Sequence, residues 1–92
     1  MKLKKGLVLR YVDGMPIVVP IGAASMDFNG MIRLNESGAF LWKQLAAGGD
    51  VSALTDALQE EYAVERQEAE ADVRAFLATL QNADFLEKES GE

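Results

Sequence analysis

IRLNESGAFLWKQL, residues 32–45, runs the end of a strand straight into a helix start and carries the chain's only tryptophan. Over residues 31–34 the alternation puts Ile32 and Leu34 on one face of a strand and Met31 and Arg33 on the other, and the first face belongs to the core. Asn35 follows with no room for a loop. Its side-chain oxygen can accept from the free N–H groups of a first helical turn, and Glu36 adds negative charge where the helix dipole favours it. Leu34, Gly38, Leu41, Trp42 and Leu45 then fall at helical spacing, Phe40 widens the apolar surface, and Gly48-Gly49 stops the helix.

Upstream, Leu7, Val8, Leu9, Tyr11 and Val12 form a β-prone run ended by Asp13-Gly14, and Ile17, Val18 and Val19 resume after Met15-Pro16. Asp-Gly between two apolar runs predicts a tight hairpin, because both residues tolerate positive φ. Pro16 has no N–H to donate to a ladder, which places it at the start of the second strand or on an open edge. The hairpin ends at Pro20, and residues 21–30, IGAASMDFNG, read as irregular up to a turn at Asn29-Gly30. Downstream, Asp50 caps a second helix whose stripe is Val51, Leu54, Leu58 and Tyr62, with Gln59, Glu60 and Glu61 facing water. Ala69, Val73, Phe76, Leu77 and Leu80 make the clearest stripe, on a third helix whose N-terminal half carries Glu65, Glu68, Glu70 and Asp72. Phe85-Leu86 is expected to fold back onto the core and residues 88–92, KESGE, to fray. The prediction is an α+β domain over 1–92, a three-stranded antiparallel sheet followed by three helices with a winged-helix-like inventory.

The 92 residues suffice for one domain, and 49% apolar content without low-complexity runs marks a globular chain. The start, MKLKKGLVLRYVDG, is basic like a signal peptide, but Arg10 and Asp13 break its apolar run and no small-residue cleavage site follows, so it reads as a strand of the mature domain. No apolar stretch approaches the roughly 20 residues of a membrane-spanning helix, so no membrane partner is expected. The absence of cysteine excludes disulfides and thiolate metal sites and fits a cytoplasmic location. A net charge of -6, with bases scattered beyond Lys2, Lys4 and Lys5, argues against nucleic acid as a partner.

Without histidine or cysteine, most general bases, thiol nucleophiles and soft metal ligands are missing. Glu60, Glu61, Glu65, Glu68, Glu70 and Asp72 fall on solvated helix faces, where nothing raises a carboxylate pKa. Ser37, in Asn-Glu-Ser-Gly-Ala, lacks the glycine spacing of a nucleophile elbow, and the glycines form no phosphate-binding fingerprint. No catalytic, cofactor-binding or metal-binding residue is therefore expected, and binding is what remains. The third strand is short and follows an irregular segment, so one side can be an open edge that accepts an extended peptide, or an edge covered by the chain's own loop. Glu70, Arg74, Leu77 and Gln81 lie along one flank of the third helix and would wall a groove beside that edge. Leu77 reads first as core and Arg74 first as a solvated charge, yet of the four Arg74 has the best claim to meet an acidic group on a ligand.

Asn29-Gly30, Ile32, Leu34-Asn35-Glu36-Ser37-Gly38-Ala39, Leu41-Trp42 and Leu45 resemble the central signature of PqqD-like proteins, the recognition elements of ribosomal peptide modification. Val51, Leu54, Leu58 and Tyr62 are similar to that family's second helix, and Asp72-Val73, Phe76-Leu77, Leu80 and Phe85-Leu86 to its last helix and tail. The family commonly has glycine where Asp84 stands, which predicts an altered helix end with the fold retained. The resemblance implies a winged-helix-like, non-catalytic chaperone that binds the leader of a precursor peptide and presents it to a modifying enzyme, typically a radical SAM maturase. It further implies that the leader adds as a strand to the third strand beside the last helix. Carried over, Met31, Ile32, Arg33 and Leu34 supply the edge and Glu70, Arg74, Leu77 and Gln81 the wall, and proline at Ile32 is expected to weaken binding. Two other readings stay open on the residues alone: a winged-helix DNA-binding regulator, opposed by the acidic last helix, and a structural subunit using the same edge to dimerise. Monomer and homodimer are both compatible with the pattern.

Overall fold

The computed structural model describes residues 2–22 and 31–87. The irregular stretch over 23–30 with its Asn29-Gly30 turn, and the fraying expected over 88–92, lie outside the described residues. Strands β1 (Leu7–Val12) and β2 (Met15–Pro20) pair antiparallel with Val12 opposite Met15. The turn between them has φ 52° at Asp13 and 80° at Gly14, the two positive angles of the turn that Asp-Gly predicts. Strand β3 (Ile32–Arg33) lies antiparallel on the other side of β2, with Val18 opposite Ile32 and Ile17 opposite Arg33, so the order is β1-β2-β3. This ladder is shorter than the expected 31–34. One more bond extends it, from the Leu34 N–H to the Pro16 carbonyl at 2.9 Å, and Pro16 has no N–H to return.

The face carrying Val18 and Leu34 packs on three helices, α1 (Glu36–Ala46), α2 (Val51–Tyr62) and α3 (Arg66–Asn82). Helix α1 starts as expected: the Asn35 side chain accepts from the Gly38 N–H at 2.7 Å. A Cβ on residue 38 would stand 2.9 Å from that Asn35 oxygen and 3.3 Å from the Leu34 Cβ, so glycine lets the cap close directly over the strand end. Gly38, Ala39, Leu41, Trp42 and Leu45 are buried. The helix stops where Gly48 turns to φ 102° and the N–H groups of Gly48 and Gly49 reach back to Leu45 and Gln44.

Asp50 caps α2 through the Ala53 N–H at 2.9 Å. Val51, expected on the stripe, is 46% exposed, and the buried face is Leu54, Thr55 and Leu58. A side chain at the first helical position leans back past the helix start, away from the turns that pack. Thr55 is buried because its hydroxyl donates to the Val51 carbonyl at 2.8 Å. The helix ends on Ala63 at φ 54°, a conformation that disfavours any Cβ by about 1–2 kcal/mol. Ala63→Gly is therefore expected to raise stability by up to about 1 kcal/mol in urea titrations, the remainder being lost to the freer unfolded chain.

Ala69, Val73, Phe76 and Leu80 of α3 are buried as predicted, and Leu77 packs half-buried at the edge of the core. Asp84 takes φ 62° in the place usually held by glycine, and the N–H groups of Asp84 and Phe85 bond back to Gln81 and Leu80. The helix end is thus a normal left-handed termination with a non-glycine residue in it. Phe85 is 3% exposed, as the fold-back expectation requires. A strap not expected from the sequence fastens this end: Leu3 sits opposite Leu86, the Lys4 N–H donates to Phe85 and the Glu87 N–H to Lys2, each at 2.8 Å.

Candidate functional site

Hydrogen-bonded and non-hydrogen-bonded pairs alternate along an antiparallel ladder. Since Leu34 donates to Pro16, the next bonded pair is Val18 with Ile32, and Arg33 between them turns its N–H and C=O away from β2. Among the described residues no strand lies beyond β3 and nothing bonds to the Arg33 backbone. The four residues of the expected edge therefore separate. Ile32 and Leu34 direct their backbone to β2 and their side chains to the core, whereas Arg33 and, by the same alternation, Met31 face outward; both are exposed, Met31 by 61%.

A cleft of about 290 Å³ runs beside this edge. Arg33, Leu34 and Asn35 bound it on the strand side, Ser37, Gly38 and Leu41 of α1 close its end, and Asp72, Ala75, Phe76 and Thr79 of α3 form the facing wall. Glu70, Arg74, Leu77 and Gln81 do not line it. They lie about half a turn around α3 from the wall residues. Glu70 is engaged with Arg66 at 3.6 Å and Arg74 at 3.9 Å, Arg74 and Gln81 point to solvent, and Leu77 packs on the core. The sequence marks a stripe with two flanks, and which flank meets β3 depends on how α3 lies against α1 and α2. The α3 residues that line the cleft left one faint trace in the sequence: Ala75 and Thr79, two small residues at i and i+4 beside the stripe, leave room where a larger pair would fill it.

Two further clefts adjoin the first. One of about 350 Å³ is lined by Asn35, Glu36, Ser37, Leu58, Tyr62, Val64 and Asp72, and shares Asn35, Ser37 and Asp72 with the cleft at β3. The other, about 530 Å³, lies between the hairpin and α1 and includes Tyr11, Pro16, Phe40, Lys43, Glu61 and Tyr62. Phe40 meets Tyr62 edge to face with centroids 5.8 Å apart, and the Lys43 ammonium stands 5.3 Å from the centre of the Tyr11 ring. Burial, and then the charges of Glu36 and Glu61, push the Tyr62 hydroxyl above its ordinary pKa, so it stays protonated and able to donate.

Among the described residues no three acidic side chains converge to hold a metal ion, and no helix is long and apolar enough to cross a membrane. What the arrangement offers is an outward-facing backbone at one strand edge, with an apolar-floored cleft beside it. That combination can take an extended chain through main-chain bonds while alternate side chains enter the cleft.

No curated protein matches the chain in sequence. Among solved structures it is similar to TbiB1 in complex with the TbiA(beta) leader peptide, at 27% identity over 98% of this chain and 99% of that one, with a TM-score of 0.79. A lasso peptide synthetase B1 complexed with a leader peptide shares the fold, with a TM-score of 0.71 at 22% identity over 92% and 93% of the two chains. The family described as coenzyme PQQ synthesis protein D (PqqD) matches residues 7–86, a span that takes in the hairpin, the β3 edge and all three helices. The chain belongs to the PqqD family.

Proposed function

We propose that this chain is a non-catalytic recognition domain, working in the cytoplasm, that takes the leader of a ribosomally made precursor peptide as an added strand on β3. It presents that precursor to a modifying enzyme, a radical SAM maturase or another peptide-modifying enzyme, and the chemistry belongs to that partner. The observation that carries the reading is the outward-facing Arg33 backbone beside the cleft walled by Asp72, Ala75, Phe76 and Thr79. The likeness to TbiB1, which was solved with a leader peptide, supports it. Binding through backbone groups supplies affinity that tolerates sequence variation, and the Leu41 and Phe76 surfaces in the cleft select apolar side chains at alternate positions.

The test is calorimetric titration with synthetic leaders of the precursor genes adjoining this chain's own. Ala75 is exposed on α3 at the cleft wall, so Ala75→Arg fills the cleft from a position where arginine suits a helix. Affinity is expected to fall about tenfold or more, the equivalent of about 1.4 kcal/mol, with unchanged circular dichroism. Equal affinity in the variant would remove the peptide from this cleft.

A further inference from the structure

We propose that the peptide carries a lysine or arginine ahead of its strand-forming stretch, and that this side chain enters the second cleft, its stem on Leu58 and Val64 and its charge beside Glu36 and Asp72. The inference rests on the reading of β3 as a peptide-accepting edge and adds an orientation and a chemical preference to it.

The sheet is antiparallel throughout, and a peptide continuing that pattern runs opposite to β3. Its N-terminal side then lies at Asn35, where β3 hands over to α1. At that point the first cleft and the second share Asn35, Ser37 and Asp72, so a peptide leaving the strand edge has the second cleft next to it. The second cleft has an apolar floor, with Leu58 buried and Tyr62 and Val64 half-buried, and its rim holds Glu36 and Asp72. No lysine or arginine lines it, and neither carboxylate is in an ion pair among the described residues. A long apolar stem ending in a cation matches such a surface, since Lys and Arg bury their methylenes while keeping the charge at a polar rim. The net charge of -6 favours approach of a basic segment.

The probe is a random dodecapeptide display library selected on the full chain, followed by synthesis of the enriched peptides. A basic residue is expected on the N-terminal side of a β-prone stretch. Replacing it with alanine is expected to weaken binding about three- to fivefold more on the parent chain, the range of a partly exposed ion pair, than on the doubly substituted Glu36→Gln, Asp72→Asn chain, where only the stem's packing is lost. Replacing it with glutamate is expected to weaken binding further on the parent chain only. Arg33→Pro is expected to weaken binding of every selected peptide by about fivefold to a hundredfold. If Arg33→Pro weakens binding while no basic residue is enriched, or it follows the β-prone stretch, or its loss costs the same on both chains, the cation site is overturned and the strand edge stands. If the library yields no extended binders, or their binding is indifferent to Arg33→Pro, the strand-addition reading falls and the cation site falls with it.

Discussion

Arg33→Pro is expected to lower leader affinity by between about fivefold and a hundredfold while the chain remains folded. The substitution deletes the N–H that faces away from β2, and a peptide carbonyl aimed at that position loses its donor inside the complex. A buried acceptor left unsatisfied costs about 1–3 kcal/mol, which sets the range. The fold should tolerate the change because that N–H has no partner among the described residues, and proline is accepted on an edge strand where its missing donor faces outward. It also favours the extended conformation that Ile32 already holds. Arg33→Ala isolates the side chain and should retain most of the affinity. The alternation within residues 31–34 points to Ile32 as the informative proline site. The ladder moves the test by one residue, because the Ile32 N–H serves β2 and its loss would damage the sheet itself. Calorimetry on variants with parental circular dichroism reads the outcome, and parental affinity in folded Arg33→Pro would exclude strand addition at β3.

Leu80→Ala is expected to have the largest effect on stability. Leu80 is fully buried among the core side chains, and its carbonyl accepts the Phe85 N–H at 2.9 Å, so it also anchors the turn from which the strap to Leu3 hangs. Truncating a buried leucine costs about 2–5 kcal/mol through lost transfer energy and the cavity left behind. A chain of this size has roughly 5–14 kcal/mol in all, so at the middle of both ranges the urea midpoint should fall by about a third with little change in slope. Leader at a hundred times its dissociation constant should restore about 2.7 kcal/mol, because ligand binding to the folded form alone shifts the equilibrium by mass action. A loss under about 1 kcal/mol would mean that α3 is not held by a tightly packed core. The pairing of this variant with Ala75→Arg is informative: one lies on the core side of α3 and the other on its cleft side, so stability and binding should respond separately.

The parts of the fold legible in the sequence are those built from neighbouring residues. Asp13-Gly14 adopts the two positive φ angles of its hairpin, Asn35 and Asp50 cap the helices that follow them, and Gly48-Gly49 terminates α1. At Asp84 the altered helix end expected from the missing glycine is not seen, because aspartate tolerates the left-handed region well enough to adopt the glycine's conformation. Val51 was misplaced because periodicity treats a first-turn residue like any other, although no packed turn lies under it.

The candidate site divides along the same line. That a strand falls within residues 31–34, with Ile32 and Leu34 inward, follows from alternation and from the helix start behind it, and composition alone removes histidine and cysteine chemistry. Which of those residues offers its backbone outward depends on the register against β2, set by a bond from Leu34 to a proline eighteen positions earlier. Which flank of α3 faces β3 depends on the packing of three helices against one another, and it brings Asp72, Ala75, Phe76 and Thr79 to the cleft instead of Glu70, Arg74, Leu77 and Gln81. Caps, turns and alternation are written in contiguous residues because their hydrogen bonds close within a few positions. Register and helix rotation are settled only when distant elements pack, and at that scale the wall of the cleft beside β3 is made.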